Sequence, residues 1–193
     1  MKSTARPYRM QERAVASADT GRRIVSAMLA LFVERPYDLI TLDDVAARAR
    51  VTRQTVIRRF ESKEGLLAAA VEEGRARVTA QRFGAPVGDV RGAVRNLFDH
   101  YEDWAGVSLR LLEQEERISV LAPVTREARQ LHRAWVERTF GPLLRGQGER
   151  RLAQLVTLTD VYIWKLLRRD HGLSRPEAEE CVVEMINAVC GGG

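Results

Sequence analysis

Residues 41–63 read TLDDVAARARVTRQTVIRRFESK, and the reading of this stretch decides the fold. Thr41 and Asp44 stand three apart, the spacing of a capping box in which each side chain satisfies a backbone N–H of the other. Leu42, Val45, Ala46 and Ala49 follow at i, i+3, i+4 and i+7, one face of a short helix. Thr52 is placed to cap a second helix. There Val56 and Phe60, four apart, make an inward stripe, and Arg53, Gln54, Ile57 and Arg58 fall on the opposite face. Ser62 starts a third helix.

The outward face carries groups that match base edges. Arg fits the O6 and N7 acceptors of guanine, Gln fits adenine, and an aliphatic group packs on the thymine methyl. A short helix with such a face suits the major groove, as the second helix of a helix-turn-helix does. Taken alone, the same pattern also describes a small amphipathic helix whose charges face water.

Working outward, Thr20 to Glu72 is similar to the N-terminal domain of the TetR family of bacterial transcriptional regulators. The residues that carry the resemblance are IVSAMLALFVERPYDLITLDDVAARARVTRQTVIRRFESKEGLLAAAVE. The resemblance implies that Arg53, Gln54, Thr55, Ile57 and Arg58 face bases or the adjoining sugar–phosphate, and that Thr41 and Lys63 hold phosphates. Lys63 follows Ser62 at a helix start, so the positive helix end and the ammonium would act on one phosphate. Three positions depart from the family pattern. Pro36 stands where a glycine usually ends the first helix. Arg50 stands where the turn usually has glycine, and would cost roughly 1–2 kcal/mol if φ stays positive. Ile57 replaces an aromatic residue, so a phenol contact to phosphate is missing.

Charge is uneven along the 193 residues. Residues 1–60 hold 12 Lys and Arg against 6 Asp and Glu, while residues 61–193 hold 19 against 20. The positive excess sits with the reading head, where it would supply the salt-dependent part of DNA affinity. Residues 1–19 show no apolar period and read as a basic mobile arm. Residues 20–65 form the helix-turn-helix domain. Its first helix is capped by Asp19 or Thr20 and turns Ile24, Ala27, Met28, Leu31 and Phe32 inward. Residues 66–193 form a helical body for effector binding and dimerisation.

The whole chain reads as all-α. In the body, a stripe from Val90 to Trp104 is broken at Gly106, with a shorter helix following. Pro123 opens another, which Gly141-Pro142 ends. Residues 149–171 form one strongly apolar helix, and Ser174 caps the last, 174–190. Residues 155–167 are apolar nearly all round, so a partner must cover one side. This predicts a homodimer joined through helices 149–171 and 174–190, which the resemblance also implies. A two-fold dimer places its reading helices about one DNA turn apart.

The resemblance further implies an effector pocket in the body. Tyr101, Trp104, Trp135, Thr157 and Asp160 are its candidate lining, with Glu113, Arg117, His132 and Tyr162 considered beside them. Thr157, Thr159 and Asp160 interrupt an apolar helix and suggest a polar anchor in a mostly apolar cavity. For each of these residues alone, packing or a structural hydrogen bond is the competing role, and the sequence around His132 reads as surface. No catalytic constellation is visible. The histidines have no metal-ligand spacing with Cys181, Cys190 or one another, and there is no phosphate-binding glycine loop. No cofactor, no catalysis and no membrane span are therefore expected, and a cytoplasmic location follows. The functional expectation is a ligand-responsive regulator, a repressor by the family's commoner habit, released from a palindromic operator by a small apolar or aromatic effector. The alternative is a ligand-binding helical dimer without specific DNA recognition.

Overall fold

The structure is a computed structural model that describes residues 5–144, 146 and 148–191, with side chains from residue 15 onward. It is all helical, with no strand among the described residues. The chain divides into two compact units, Met1–Gly74 and Arg75–Gly193.

In the first unit, α1 spans Ala5–Glu34. It begins well before the expected cap at Asp19 or Thr20. After Pro7, which a first helical turn tolerates, residues 8–20 contain no Gly or Pro, and Met10, Gln11, Glu12, Arg13, Ala14 and Ala16 are good helix formers. From Val15 to Asp19 every residue is exposed. This part of the helix rests on propensity rather than burial, which is why apolar spacing does not reveal it. Of the expected arm, residues 1–4 lie outside the described residues.

Further along α1, Ile24, Val25, Met28, Leu31 and Phe32 are buried. Each such side chain contributes about 1.5–3 kcal/mol when fully buried. Pro36 follows the helix in an extended conformation, φ −55° and ψ 144°, so no left-handed glycine is needed there. A 3-10 turn, Tyr37–Leu39, then buries Tyr37 edge-on to Phe32. Helices α2 (Leu42–Ala49) and α3 (Arg53–Phe60) close the core with Val45, Ala46, Ala49 and Val56.

Helix α4 spans Lys63–Arg82, and the division between units falls inside it, after Gly74 rather than after Gly65. Leu66, Leu67 and Ala70 are buried in the first unit and carry it past the expected boundary.

The second unit is built around α5 (Val90–Gln114), which packs on α9 (Val161–Lys165) and α10 (Arg175–Gly191). Helix α6 (Ala122–Thr139) packs on α8 (Gly148–Leu158), with the short α7 (Gly141–Leu144) between them in sequence. Two expected breaks fall elsewhere. α5 runs straight through Gly106. Leu109 and Leu112 beyond it pack on the core, and that burial outweighs the ~1 kcal/mol a helical glycine costs. Conversely, the helix expected over 149–171 is interrupted at Thr159-Asp160. Asp160 takes ψ 154° and its carboxylate accepts from Tyr162 N (2.9 Å), capping α9, which continues as a turn of π-helix to Asp170. An unbroken apolar stripe hid a capping residue. Arg145 and Gln147 of the expected loop lie outside the described residues.

Candidate functional site

The capping box at α2 forms as its spacing demands. Thr41 N donates to Asp44 Oδ2 (2.8 Å), and Asp44 N donates to Thr41 Oγ1 (3.1 Å). The same hydroxyl also donates to Asp44 Oδ2 (2.6 Å), so in this state Thr41 serves the helix start. These bonds, with Arg35 beside them (3.1 Å), hold the Asp44 carboxyl below its usual range. Arg50 ends α2 in the left-handed region, φ 54° and ψ 50°, with its N–H bonded to the helix carbonyls. The turn keeps the geometry for which glycine is suited and bears the side-chain strain.

Thr52 caps α3: its hydroxyl accepts from Thr55 N (3.2 Å) and lies 2.9 Å from Thr55 Oγ1. Beyond it the two faces separate. Val56 is fully buried, while Arg53, Gln54, Ile57 and Arg58 are exposed. Arg53 approaches only the exposed Asp43, at 3.9 Å. Thr55 is half-buried, at the edge of the outward face. The third arginine of this helix behaves differently. Arg59 Nη1 donates to Ser17 Oγ (2.9 Å), and its guanidinium fills the space above Gly21, tying α3 to α1.

The turn out of α3 is tight. Glu61 has φ 66° and ψ −48°, and Ser62 N donates to Phe60 O (2.7 Å), a γ-turn that side chains rarely adopt. The chain then passes so close that a Cβ on Gly65 would lie 2.2 Å from Phe60 O. Lys63 is half-buried here. Its ammonium donates to Tyr37 O (3.0 Å) and Ile40 O (2.9 Å) and stands 4.3 Å from the Tyr37 ring centre. It closes the loop before α2, leaving at most one N–H for a phosphate.

The candidate ligand residues of the second unit do not converge on one cavity. Thr157 is exposed and bonds back to Ala153 O (2.9 Å), a turn earlier. Asp160 is the cap of α9. Trp104 is half-buried, with the Arg77 guanidinium 5.9 Å from its ring centre. An open cleft of about 700 Å³ lies between the end of α5 and the start of α6, lined by Glu115, Glu116, Ser119, Arg126 and Arg129 among others. None of the candidates lines it.

Tyr101 and Trp135 do meet, around a residue that the sequence reading passed over. Arg82, on the last turn of α4, is 4 % exposed. Its guanidinium lies 4.0 Å from the Trp135 ring centre and 6.0 Å from that of Tyr101. Trp135 Nε1 donates to Arg82 O (2.9 Å), and Tyr101 OH donates to Thr159 O (2.8 Å). His132, expected at the surface, belongs to this cluster. Arg82 Nη2 donates to its Nδ1 (3.0 Å). Because Arg can only donate, Nδ1 must be the acceptor and Nε2 carries the proton, facing Val156 O and Thr159 Oγ1, both at 3.2 Å. Burial, and then the Arg82 charge, push the pKa of His132 down to about 3, and the same causes push His100 down to about 3. The signal was present in the sequence: Arg82 stands four residues after Val78, on the inward stripe of α4.

Among the described residues no group of His, Cys, Asp and Glu could hold a metal ion, and no helix is long and apolar enough to cross a membrane.

Residues 24–70 match the family model of the bacterial regulatory proteins of the tetR family. No curated protein matches the chain. Among solved structures, a transcriptional regulator from Rhodococcus sp. Rha1 superposes with a TM-score of 0.70 at 17% identity, over 89% of this chain and 96% of that one. A tetR-family transcriptional regulator from Streptomyces coelicolor gives 0.68 at 17% identity, over 89% and 80%. At such identities the superpositions speak for the fold alone. The matched segment runs from the core of α1 through α2 and α3 into α4, so the first unit is similar to the DNA-binding domain of the tetR-family regulators.

Proposed function

We propose that the protein is a homodimeric, ligand-responsive regulator, a repressor, that reads a palindromic operator with α3. The observation that carries this is the division of α3. Arg53, Gln54, Ile57 and Arg58 stand exposed while Val56 behind them is buried, on a helix of the matched segment. Arg53 and Gln54 would take hydrogen bonds at base edges, Ile57 would lie on thymine methyls, and Arg58 with Thr55 would serve bases or the neighbouring backbone. Thr41 and Lys63 would contribute at phosphates only with what their present bonds leave free. The basic charge of residues 1–60 would add the sequence-independent share of affinity.

Dimerisation through 149–171 and 174–190 is supported by apolar residues left uncovered there. Tyr162 is 50% exposed and Leu166, four residues on, 45%. A two-fold pair built on that face would present two α3 helices to successive major grooves. Helix α4 is covalently continuous between the head, where Lys63 begins it, and the body, where Arg82 ends it. An effector that moves the Arg82 end would change the presentation of the heads. By linkage, DNA would weaken effector binding by the same factor.

The test is recovery of bound duplexes from a random pool at moderate salt. A palindrome is expected, lost by the double variant Arg53→Ala/Arg58→Ala. Sequence-blind recovery by both proteins would remove the operator-reading function and leave a basic helical dimer.

A further inference from the structure

The second unit places its carboxylates outside and an unpaired cation inside. Arg91–Glu180, Arg133–Glu149, Arg168–Glu102 and Arg175–Asp99 are all ion pairs at or near the surface. Arg82, the most buried of these arginines, has no carboxylate within salt-bridge distance among the described residues. Its neighbours are neutral: the indole of Trp135, the phenol of Tyr101 and the imidazole of His132. Asp160, whose charge reaches Tyr101, is committed to the N-terminus of α9. Arg82 Nε is buried with no hydrogen-bond partner at all.

A guanidinium cannot shed its proton to relieve burial. A buried charge persists only when something compensates it, and here rings and dipoles do so in part. The deficit has a direction. The edge formed by Nε and Nη2 is the one that grips a carboxylate with two parallel hydrogen bonds. Nε is vacant, Nη2 is held by the neutral His132, and the other polar group interacting with the guanidinium is the neutral Tyr101 hydroxyl. The guanidinium carbon stands over the Trp135 ring at 4.0 Å and the Tyr101 ring at 6.0 Å, so apolar surface adjoins the charge.

We propose that Arg82 is the anchor for the carboxylate of an apolar or aromatic acid that enters the cluster of Arg82, Tyr101, His132 and Trp135. The inference rests on the reading of the second unit as a ligand sensor and narrows its effector from apolar compounds in general to acids. The entering carboxylate takes Nε and displaces His132 from Nη2, and the acid's hydrocarbon part lies against Trp135 and Tyr101. His132, freed from Arg82, retains Val156 O and Thr159 Oγ1 through Nε2.

The experiment is thermal unfolding of the full chain, without DNA, against matched pairs: benzoate and benzamide, phenylacetate and phenylacetamide, octanoate and octanamide. At least one acid is expected to raise Tm in a dose-dependent way while its amide does not. Arg82→Met is expected to abolish that difference, a loss of roughly 10- to 100-fold in acid affinity, and to leave the unliganded protein as stable as before or more so. Arg82→Lys, which keeps the charge without the fork, is expected to weaken the acid and serves if the Met variant does not fold. The proposal is overturned if no acid outperforms its amide, or if either folded variant binds the acid as the wild type does. Because DNA is absent, these results stand apart from the operator reading. That reading fails separately, by sequence-blind duplex recovery.

Discussion

The two units put arginine to opposite uses. In the head, Arg53 and Arg58 project into solvent from a helix that buries Val56 behind them, so their charge is available at the surface. In the body, Arg82 is enclosed by aromatic rings and a neutral histidine, and its charge is compensated only in part. The head therefore concentrates strain in backbone turns, at Arg50 and Glu61, where it fixes how α3 is presented. The body concentrates it in electrostatics, at one buried cation and the two histidines it keeps uncharged. Strain of the first kind sharpens a rigid reading surface. Strain of the second kind can be relieved by a molecule of opposite charge.

The largest effect that would probe this contrast lies in the body. Trp135 is fully buried, stacks near His132, meets Phe140 edge-on and bonds Arg82 O. Trp135→Ala is expected to cost about 3–5 kcal/mol in urea unfolding. A cost under 1 kcal/mol would mean that the cluster is not a packed element of the body.

Acid should separate the units next. His100 and His132 are held at a pKa of about 3, against 6.5 for a free side chain. Between those values the unfolded chain binds protons that the folded one does not, so stability falls as pH drops from 6.5 toward 3 and is fully present above 6.5. The slope is roughly 1.4 kcal/mol per pH unit for each histidine once well inside that window. His132→Gln should remove its share of the slope. An unchanged slope would place the acid sensitivity elsewhere.

Smaller effects belong to the head. Gly65→Ala drives a Cβ to 2.2 Å from Phe60 O and should cost about 1–3 kcal/mol while displacing α3. DNA affinity and Tm would fall together, and wild-type values in both would refute the tight approach. Thr41→Ala removes the capping box, a loss of about 1 kcal/mol by thermal unfolding. Arg50→Gly has the opposite sign. It relieves the left-handed strain, less the greater entropy of an unfolded glycine, for a gain of up to roughly 1 kcal/mol. A lower Tm would show that the Arg50 side chain supports the turn.

The same contrast explains what the sequence disclosed. The head is written in local spacings: Thr41 with Asp44, Val45 with Ala49, Val56 with Phe60. Neighbours in sequence settle such features: the Thr41–Asp44 box forms and Val45, Ala49 and Val56 are buried, while Phe60 at the end of α3 is half-buried. Lys63 was legible as a cation at a helix start, but its bonds to Tyr37 O and Ile40 O depend on a loop 23 to 26 residues away. The body is written in distant pairings. Arg82 meets His132 across 50 residues, and Tyr101 meets Thr159 across 58, so no window along the chain shows that cluster. Helix ends in the body misled for a related reason. Gly106 looks like a stop and is overridden by packing, while Asp160 sits in an apolar run and works as a cap.

The central claim is that the exposed face of α3 reads bases and does not merely attract phosphates. It is tested most directly by measuring Arg53→Ala and wild type on the recovered operator and on a scrambled duplex, each across a range of salt. The account predicts a loss of about 1–3 kcal/mol on the operator, little loss on the scrambled duplex and a similar salt slope for both proteins. An equal loss on both duplexes, with a shallower salt slope for the variant, would make Arg53 a phosphate contact and contradict the account.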